Sequence, residues 1–183
     1  MSGDTANTAL WQNADVYIDF AMAATAPADV TTAWAVGWDA AGLLDGEEGF
    51  TEGRDGDSAE FYAWGGILVK KTKSKHKRTI KFVAMEDNAT TFALVNPGST
   101  RTEDGVTFLT TSVVKVPTNV DFSIGFETRD GDKVRRRIVK RATVEEIGEI
   151  KESESEPTVY EITVVLYPEA NGDLYTEISG DVV

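Results

Sequence analysis

The chain has 183 residues, 41% of them hydrophobic, with 18 Lys and Arg against 31 Asp and Glu, one His, no Cys and a formal net charge of −13. The length and the apolar share predict one domain with a hydrophobic core. The lack of Cys excludes disulfides, thiolate metal sites and a Cys nucleophile, and the single His76 leaves no His pair for a metal. Because no signal peptide or long apolar span is apparent, we expect a soluble protein that is cytoplasmic where it is made.

The N-terminal part begins with a strandless arm at residues 1–13, followed by predicted strands at residues 15–20 and 34–38. Residues 39–60 are rich in Gly and acids and follow neither the strand nor the helix period, so we predict a projecting loop. A projecting loop is a candidate for contact with another copy of the chain. The residues of this loop that we consider for such contact are apolar (Leu43, Leu44 and Phe50) or acidic (Glu47, Glu48, Asp55 and Asp57). The sequence supports equally well that these three apolar residues belong to the core of a folded loop.

Residues 67–86 form the next predicted element, with strands at 67–73 and 77–86. As one strand they would span about 66 Å, against a radius of gyration of about 16 Å for a globule of this length. We therefore predict that the segment turns near residues 73–75 or projects as an arm. Its basic residues either protect a sheet edge from aggregation or form contacts: Lys70, Lys71, Lys73, Lys75, Lys77 and Arg78.

The remaining elements are one helix and further strands. Asp87 or Asn88 can cap a helix at residues 89–95, which Asn96-Pro97-Gly98 ends. Residues 107–116 predict a strand, and residues 121–141 predict a hairpin that turns at Asp130-Gly131-Asp132. Along its second strand, Val134, Ile138, Ala142 and Val144 all fall on even-numbered positions, which predicts that they share one face of the strand. Strands at residues 162–166 and 174–178 and a tail at residues 179–183 complete a mainly β domain.

Charge is arranged in four blocks along the chain. Residues 39–60 carry a net charge of −7, residues 70–81 carry +7, residues 133–141 carry +6 and residues 145–161 carry −6. Arg135 and Arg137 in the third block are further candidate contacts. Alternating blocks predict pairing between surfaces, within one chain or between copies.

Motifs for catalysis or cofactor binding do not emerge from the sequence. It contains no Walker loop, Rossmann glycine fingerprint, HExxH motif or nucleophile elbow. The sequence pI is about 4.5 and no aromatic residues interleave with the lysines, which argues against specific nucleic-acid binding. We therefore predict no enzyme activity, no cofactor and no metal.

Several short segments, taken together and in this order along the chain, resemble those of a known protein family. They are WAVGWDAAGLLDGEEGF at 34–50, RDGDS at 54–58, AWGG at 63–66, AMEDNATT at 84–91, NPGS at 96–99, FETRDGDKVR at 126–135 and VEEIGEI at 144–150. Together they resemble the major tail (tail tube) proteins of long-tailed, non-contractile bacteriophages, closest in look to those of actinobacteriophages.

The resemblance implies a sandwich of two antiparallel sheets with one short flanking helix. It further implies that six copies form a ring with a continuous inner β-barrel, and that rings stack into a tube through which genomic DNA passes without specific binding. The loop at residues 39–60 would reach an adjacent ring, where its acids would pair with residues 70–78.

The implied partners are other copies of the chain, other phage tail proteins at the tube ends and the tape measure protein in the lumen during assembly. The implied location is the virion tail, with assembly in the host cytoplasm and no membrane. The alternatives are another ring-forming component, such as a tail terminator or a contractile inner tube, or a small acidic β-sandwich binding domain.

Overall fold

A computed structural model of the chain describes Gly3 and residues 8–182. It contains one helix, α1 (Ala89–Val95), and ten strands. The strands are β1 (Asn13–Asp19), β2 (Asp39–Ala40), β3 (Thr51–Ala63), β4 (Ile67–Ala84), β5 (Thr100–Glu103), β6 (Thr110–Val113), β7 (Phe122–Asp130), β8 (Lys133–Ile147), β9 (Tyr160–Leu166) and β10 (Thr176–Asp181).

The strands form one large and one small antiparallel sheet. The large sheet has eight strands in the order β2-β1-β7-β8-β9-β4-β3, and β10 pairs with the first half of β8. The small sheet is the hairpin of β5 and β6. The predicted mainly β fold with two antiparallel sheets and one short helix is confirmed.

A short segment after β2 joins the two sides of the large sheet. The amide of Ala41 donates to the carbonyl of Val16 on β1, and the amide of Asp45 donates to the carbonyl of Val83 on β4, each at 2.9 Å. Leu44 forms a bridge with Ala84 between these points. The sheet therefore curls around one core, as a barrel does.

The core is built from alternate residues of the strands. Phe122, Ile124 and Phe126 of β7 are fully buried, and the rings of Phe50 and Phe82 meet Phe126 edge to face at 5.2 and 6.0 Å. Burying one such side chain is worth about 1.5–3 kcal/mol. The hairpin predicted to turn at residues 130–132 supplies this core and is confirmed.

Strand β8 changes face along its length, so its predicted single parity is wrong. Ala142 lies opposite Phe122 and Val139 lies opposite Ile124, so β8 has one more residue than β7 between these pairs. This bulge directs both Val139 and Ala142 into the core, while Ile138 points to the other side.

The outer face of β1, β7 and β8 is covered by residues 20–38, whose predicted strand at 34–38 is wrong. Trp34 stacks on Tyr17 at 4.5 Å between ring centroids and meets Trp38 at 4.9 Å. The indole Nε1 of Trp34 donates to the carboxylate of Glu127 at 2.8 Å. Packing of these rings, rather than strand pairing, fixes this segment.

Glu127 is fully buried beneath this covering segment. The guanidinium of Arg136 donates to it at 2.6 Å and also to the carbonyls of Asp29 and Thr32, at 2.5 and 2.6 Å. One ion pair thus links the sheet to residues 29–32.

Helix α1 has the predicted bounds and cap. The side-chain oxygen of Asn88 accepts from the amide of Thr91 at 2.8 Å, and its Nδ2 donates to the carbonyl of Ala41 at 2.9 Å. The same side chain therefore starts the helix and holds it to the segment that joins the sheet.

Several predicted boundaries require correction. Residues 51–60 are strand, not loop, because they pair with the basic residues of β4. Residues 67–84 are one continuous strand, and the chain reverses at Trp64-Gly65-Gly66 instead of residues 73–75. The predicted tail at 179–183 contributes residues 179–181 to β10, and Val183 lies outside the described residues.

The predicted N-terminal arm is described only in part, since residues 1, 2 and 4–7 lie outside the described residues. The amide of Leu10 donates to the side chain of Asp130 at 3.0 Å, and the amide of Gln12 donates to the carbonyl of Arg129 at 2.8 Å. Residues 8–12 thus follow the turn between β7 and β8.

The first prediction concerns Glu127→Gln. Removing one charge of a buried ion pair leaves Arg136 uncompensated, and we expect the free energy of unfolding to fall by about 3–5 kcal/mol. Urea unfolding at neutral pH measures this loss. Glu154→Gln, at an exposed carboxylate, is the matched control and should leave stability unchanged.

The second prediction concerns the pH dependence of stability. Burial raises the pKa of Glu127, but hydrogen bonds from Trp34 and Arg129 and the charges of Arg136 and Arg129 outweigh burial, so the pKa lies below its ordinary value of 4.5. This stabilisation is present above about pH 4.5 and is lost as the pH falls through the folded-state pKa. Urea unfolding below pH 5 should therefore show a steeper loss for the wild type than for Glu127→Gln; parallel curves would contradict the assignment.

The third prediction concerns Gly125→Ala. A Cβ at Gly125 would overlap the indole atoms Cη2 and Cζ3 of Trp34. We expect a loss of about 1–3 kcal/mol and an altered near-ultraviolet circular dichroism spectrum, because the indole must move. Gly105→Ala, which meets no atom within 4 Å, is the control. Equal stability of the two variants would show that Trp34 is not held against β7.

Candidate assembly interface

Strands β3 and β4 leave the large sheet as a two-stranded ribbon. Arg78 is the residue at which the pairing of β4 with β9 ends, and within the described residues 67–77 pair with β3 alone. At about 3.3 Å per residue this part of β4 is about 36 Å long. We call residues 55–77 the arm.

The arm has a Gly turn and two irregularities. Gly65 and Gly66 have φ angles of 90° and 77°, and the amide of Gly66 donates to the carbonyl of Ala63 at 3.1 Å. Register shifts lie between Asp55 and Asp57 and between Phe61 and Tyr62. Opposite the first shift, Lys75 adopts a φ of 54°. Such bulges bend and twist a ribbon, so the predicted turn near residues 73–75 is a kink instead.

The end of the arm is apolar and exposed. A two-stranded ribbon is marginally stable at best in water, and exposed apolar surface rimmed by polar residues marks an interaction site. The exposed large side chains here are Phe61, Tyr62, Trp64, Ile67, Leu68 and Val69. We call this set the arm tip.

The arm tip was not among the candidates from the sequence. Its signal was present, because six large apolar residues fall within residues 61–69 around Gly65-Gly66 with no alternation. Such a cluster on both faces of a predicted strand indicates burial on both faces. The described residues of one chain leave it exposed.

The basic and acidic blocks of the arm pair with each other within one chain. Nζ of Lys71 lies 2.7 Å from Glu60, and Nζ of Lys75 lies 2.8 Å from Asp57. Hydrogen bonds from Lys71 and Tyr62 lower the pKa of Glu60. Exposed pairs of this kind contribute only about 0–1 kcal/mol each. Part of the charge attraction predicted between copies is therefore satisfied inside the hairpin.

At the base of the arm, charged residues form an interstrand cluster. Glu52 forms ion pairs with Arg78 and with Arg137, the latter at 3.5 Å. Burial raises the pKa of Glu52. The opposite effect is larger, because Arg78 donates a hydrogen bond to Glu52 and the charges of Arg54, Arg78 and Arg137 favour the carboxylate, so the pKa lies below its ordinary value. Lys77 pairs with Glu145, whose hydrogen bond raises the pKa of Lys77.

The other predicted contact residues lie away from the arm. Leu43, Leu44, Phe50, Arg135 and Arg137 line one cavity of about 720 Å³ beside residues 9–15. The cavity is where the structure brings these five candidates together.

Their burial within the cavity differs. Leu44 and Phe50 pack against the core, whereas the side chain of Leu43 is 68% exposed. The guanidinium of Arg137 lies over the rings of Phe50 and Phe126 at 5.9 and 5.8 Å, and that of Arg135 lies over Trp11 at 4.9 Å.

Five charged candidates form no ion pair with the described residues, namely Glu47, Glu48, Asp55, Lys70 and Lys73. Glu47 and Glu48 are exposed in the turn that follows Asp45, and Lys70 is exposed on the arm opposite Phe61. These side chains are available to another surface.

The β5–β6 hairpin presents a second exposed apolar surface. Arg101 holds its base, with two guanidinium nitrogens at 2.7 and 3.1 Å from the carboxylate of Asp87 and the group 4.1 Å from the centre of the Phe92 ring. The predicted strand at 107–116 is shorter than expected, since β6 spans Thr110–Val113. The exposed apolar residues in and beside the hairpin are Val106, Phe108, Leu109, Val113, Val114 and Val116.

Within Gly3 and residues 8–182, no three or more His, Asp or Glu side chains are grouped to hold a metal ion. The described ranges also include no helix long and apolar enough to cross a membrane.

Comparison with known protein families identifies a relationship. A family model described as phage tail tube protein matches residues 4–183, which is nearly the whole chain. No curated protein sequence matches significantly. The chain belongs to the phage tail tube protein family and is a structural component of the virion tail, not an enzyme.

Proposed function

We propose that this chain is the major tail tube subunit of a long-tailed, non-contractile phage. Six copies form a ring, rings stack into a tube, and the tube is the channel for DNA ejection into the host. The observation that carries this proposal is the arm, about 36 Å of ribbon with an apolar tip that one chain leaves uncovered.

The arm supports self-assembly because its backbone edges are open. Unpaired N–H and C=O groups along an exposed ribbon are a template for pairing with another chain. Pairing with strands of neighbouring copies satisfies them, and closure into a continuous barrel leaves no edge. A ring gives each copy the same surroundings, with its arm on one neighbour and its sheet covered by the other.

Further partners follow from the same role. Other tail proteins bind at the tube ends, and the tape measure protein occupies the lumen during assembly in the host cytoplasm. Genomic DNA passes without specific binding, and the net charge of −13 favours this passage because like charges repel.

The exposed turn after β2 is the proposed contact between rings. Leu43, Glu47 and Glu48 project from it, with no ion pair to the two acids among the described residues. Leu44, Phe50 and Arg137 support this turn from beneath through their packing on the core.

The fourth prediction tests the arm. Purified wild-type protein at high concentration should form rings or tubes of uniform width in electron micrographs. Trp64→Ser/Ile67→Ser removes two exposed apolar side chains of the arm tip, and we expect it to stay monomeric. A buried aromatic side chain covers about 150–250 Å², so the loss should raise the concentration for assembly by about 100-fold or more.

Val36→Ser is the matched control, because Val36 is as exposed as Trp64 but lies outside the arm. It should assemble like the wild type, and all three proteins should keep the same circular dichroism spectrum. A wild type that is strictly monomeric at high concentration contradicts the proposal. A protein present as a single ring per virion, rather than as an abundant component, would indicate a tail terminator instead.

A further inference from the structure

We infer that copies of this chain contact one another head to tail, with the acidic loop of one copy seated in a basic groove on the arm of the next. The acidic loop is residues 148–159, between β8 and β9. The inference rests on the proposed self-assembly and names the two surfaces that meet.

The basic groove runs along one face of the arm and has a volume of about 690 Å³. Lys71, Lys73, His76 and Arg78 line it from β4, and Leu174 lies among the residues that line it from the loop before β10. Lys71 pairs with Glu60 and Arg78 pairs with Glu52. The charged lining also includes Arg54 and Lys77 and the acids Asp55 and Asp57, so five cationic side chains stand against two carboxylates. Lys73 is exposed and forms no ion pair with the described residues, so it is available to an acid of another copy.

The acidic loop carries the complementary charge. Glu149, Glu152 and Glu154 are exposed, and none of them forms an ion pair within the described part of the chain. Glu156 is paired with Lys151 at 3.0 Å. The rest of the acidic block at residues 145–161 is partly neutralised inside the chain, since Glu145 pairs with Lys77 and Glu161 pairs with Lys81.

The topology keeps this loop away from Lys73 of its own chain. Strand β9 begins at Tyr160, opposite Ala84, and ends at Leu166, opposite Arg78, where the arm begins. Lys73 therefore lies about 36 Å along β4 from Ala84. A loop that is held at residues 147 and 160 reaches at most about 20 Å from its ends. The near end of the groove lies beside β8, where Lys77 pairs with Glu145, but Lys73 lies beyond the reach of the loop. The loop therefore meets Lys73 only between copies.

A contact between two different surfaces is heterologous, so each copy offers the loop to one neighbour and the groove to another. Such contacts propagate until they close a ring or continue along a tube. Charge complementarity fixes orientation and register more than affinity. Each exposed pair is weak, but the contact repeats with every copy.

Charge reversal on both sides tests the contact. Glu152→Lys/Glu154→Lys in the loop and Lys73→Glu in the groove should each raise the concentration for assembly about tenfold at low salt. The combination of the three substitutions should return it to within about threefold of the wild type. Light scattering measures assembly, electron microscopy identifies tubes, and circular dichroism checks that each variant is folded.

Lys70→Glu is the matched control, because Lys70 is on the same arm but points to the opposite face from Lys73. Combined with the loop variant, it should give no recovery. The differences should also shrink at about 1 M salt, where the Debye length is about 3 Å.

The outcomes separate the two proposals. If the wild type forms tubes and the loop variant assembles like the wild type at low salt, the docking of the loop is overturned and the tube function stands. Equal recovery with Lys70→Glu and Lys73→Glu also overturns it, since the effect is then one of net charge. A wild type that forms no tubes overturns the tube function and the docking together.

Discussion

Backbone hydrogen bonds of residues 41–45 organise the rest of this structure. They connect β1 to the end of β4, so the two sides of the large sheet meet around one core. Because the pairing of β4 with β9 stops at Arg78, the long open strand edges belong to the arm. A domain whose body is closed and whose ribbon is open is suited to assembly through that ribbon.

The segment that covers the outer face is held to the sheet at several points. Glu127, Arg136 and Trp34 form hydrogen bonds and ring contacts that hold residues 20–38 over β7. The absence of a side chain at Gly125 lets the indole lie directly on the strand.

The charge pattern has a different meaning in three dimensions from the one that the blocks suggest. Hairpin pairing brings Glu60 to Lys71 and Asp57 to Lys75, so much of the attraction between two blocks is internal. The charges without an ion pair among the described residues include the acids Glu149, Glu152 and Glu154 of loop 148–159 and Lys73 on the arm. Two complementary surfaces suit assembly by repetition better than a uniformly charged surface does.

The sequence by itself determined the elements whose signal is local, whereas only the tertiary structure decided those that depend on distant residues. The alternation of Phe122, Ile124 and Phe126 in β7, the turn at Gly131 and the Asn88 cap each depend on a few adjacent residues, and each is confirmed. The family likeness is equally readable from the sequence, because its motifs are contiguous.

Other features follow from pairing with partners elsewhere in the chain. They are the bulge in β8, the strand formed by residues 51–60 and the turn at residues 64–66. Residues 34–38 have the composition of a strand, yet they are fixed by aromatic rings and a buried carboxylate far away in sequence. The local pattern indicates which side chains favour burial. The packing of the whole fold determines which residues bury them and whether those residues belong to the same chain.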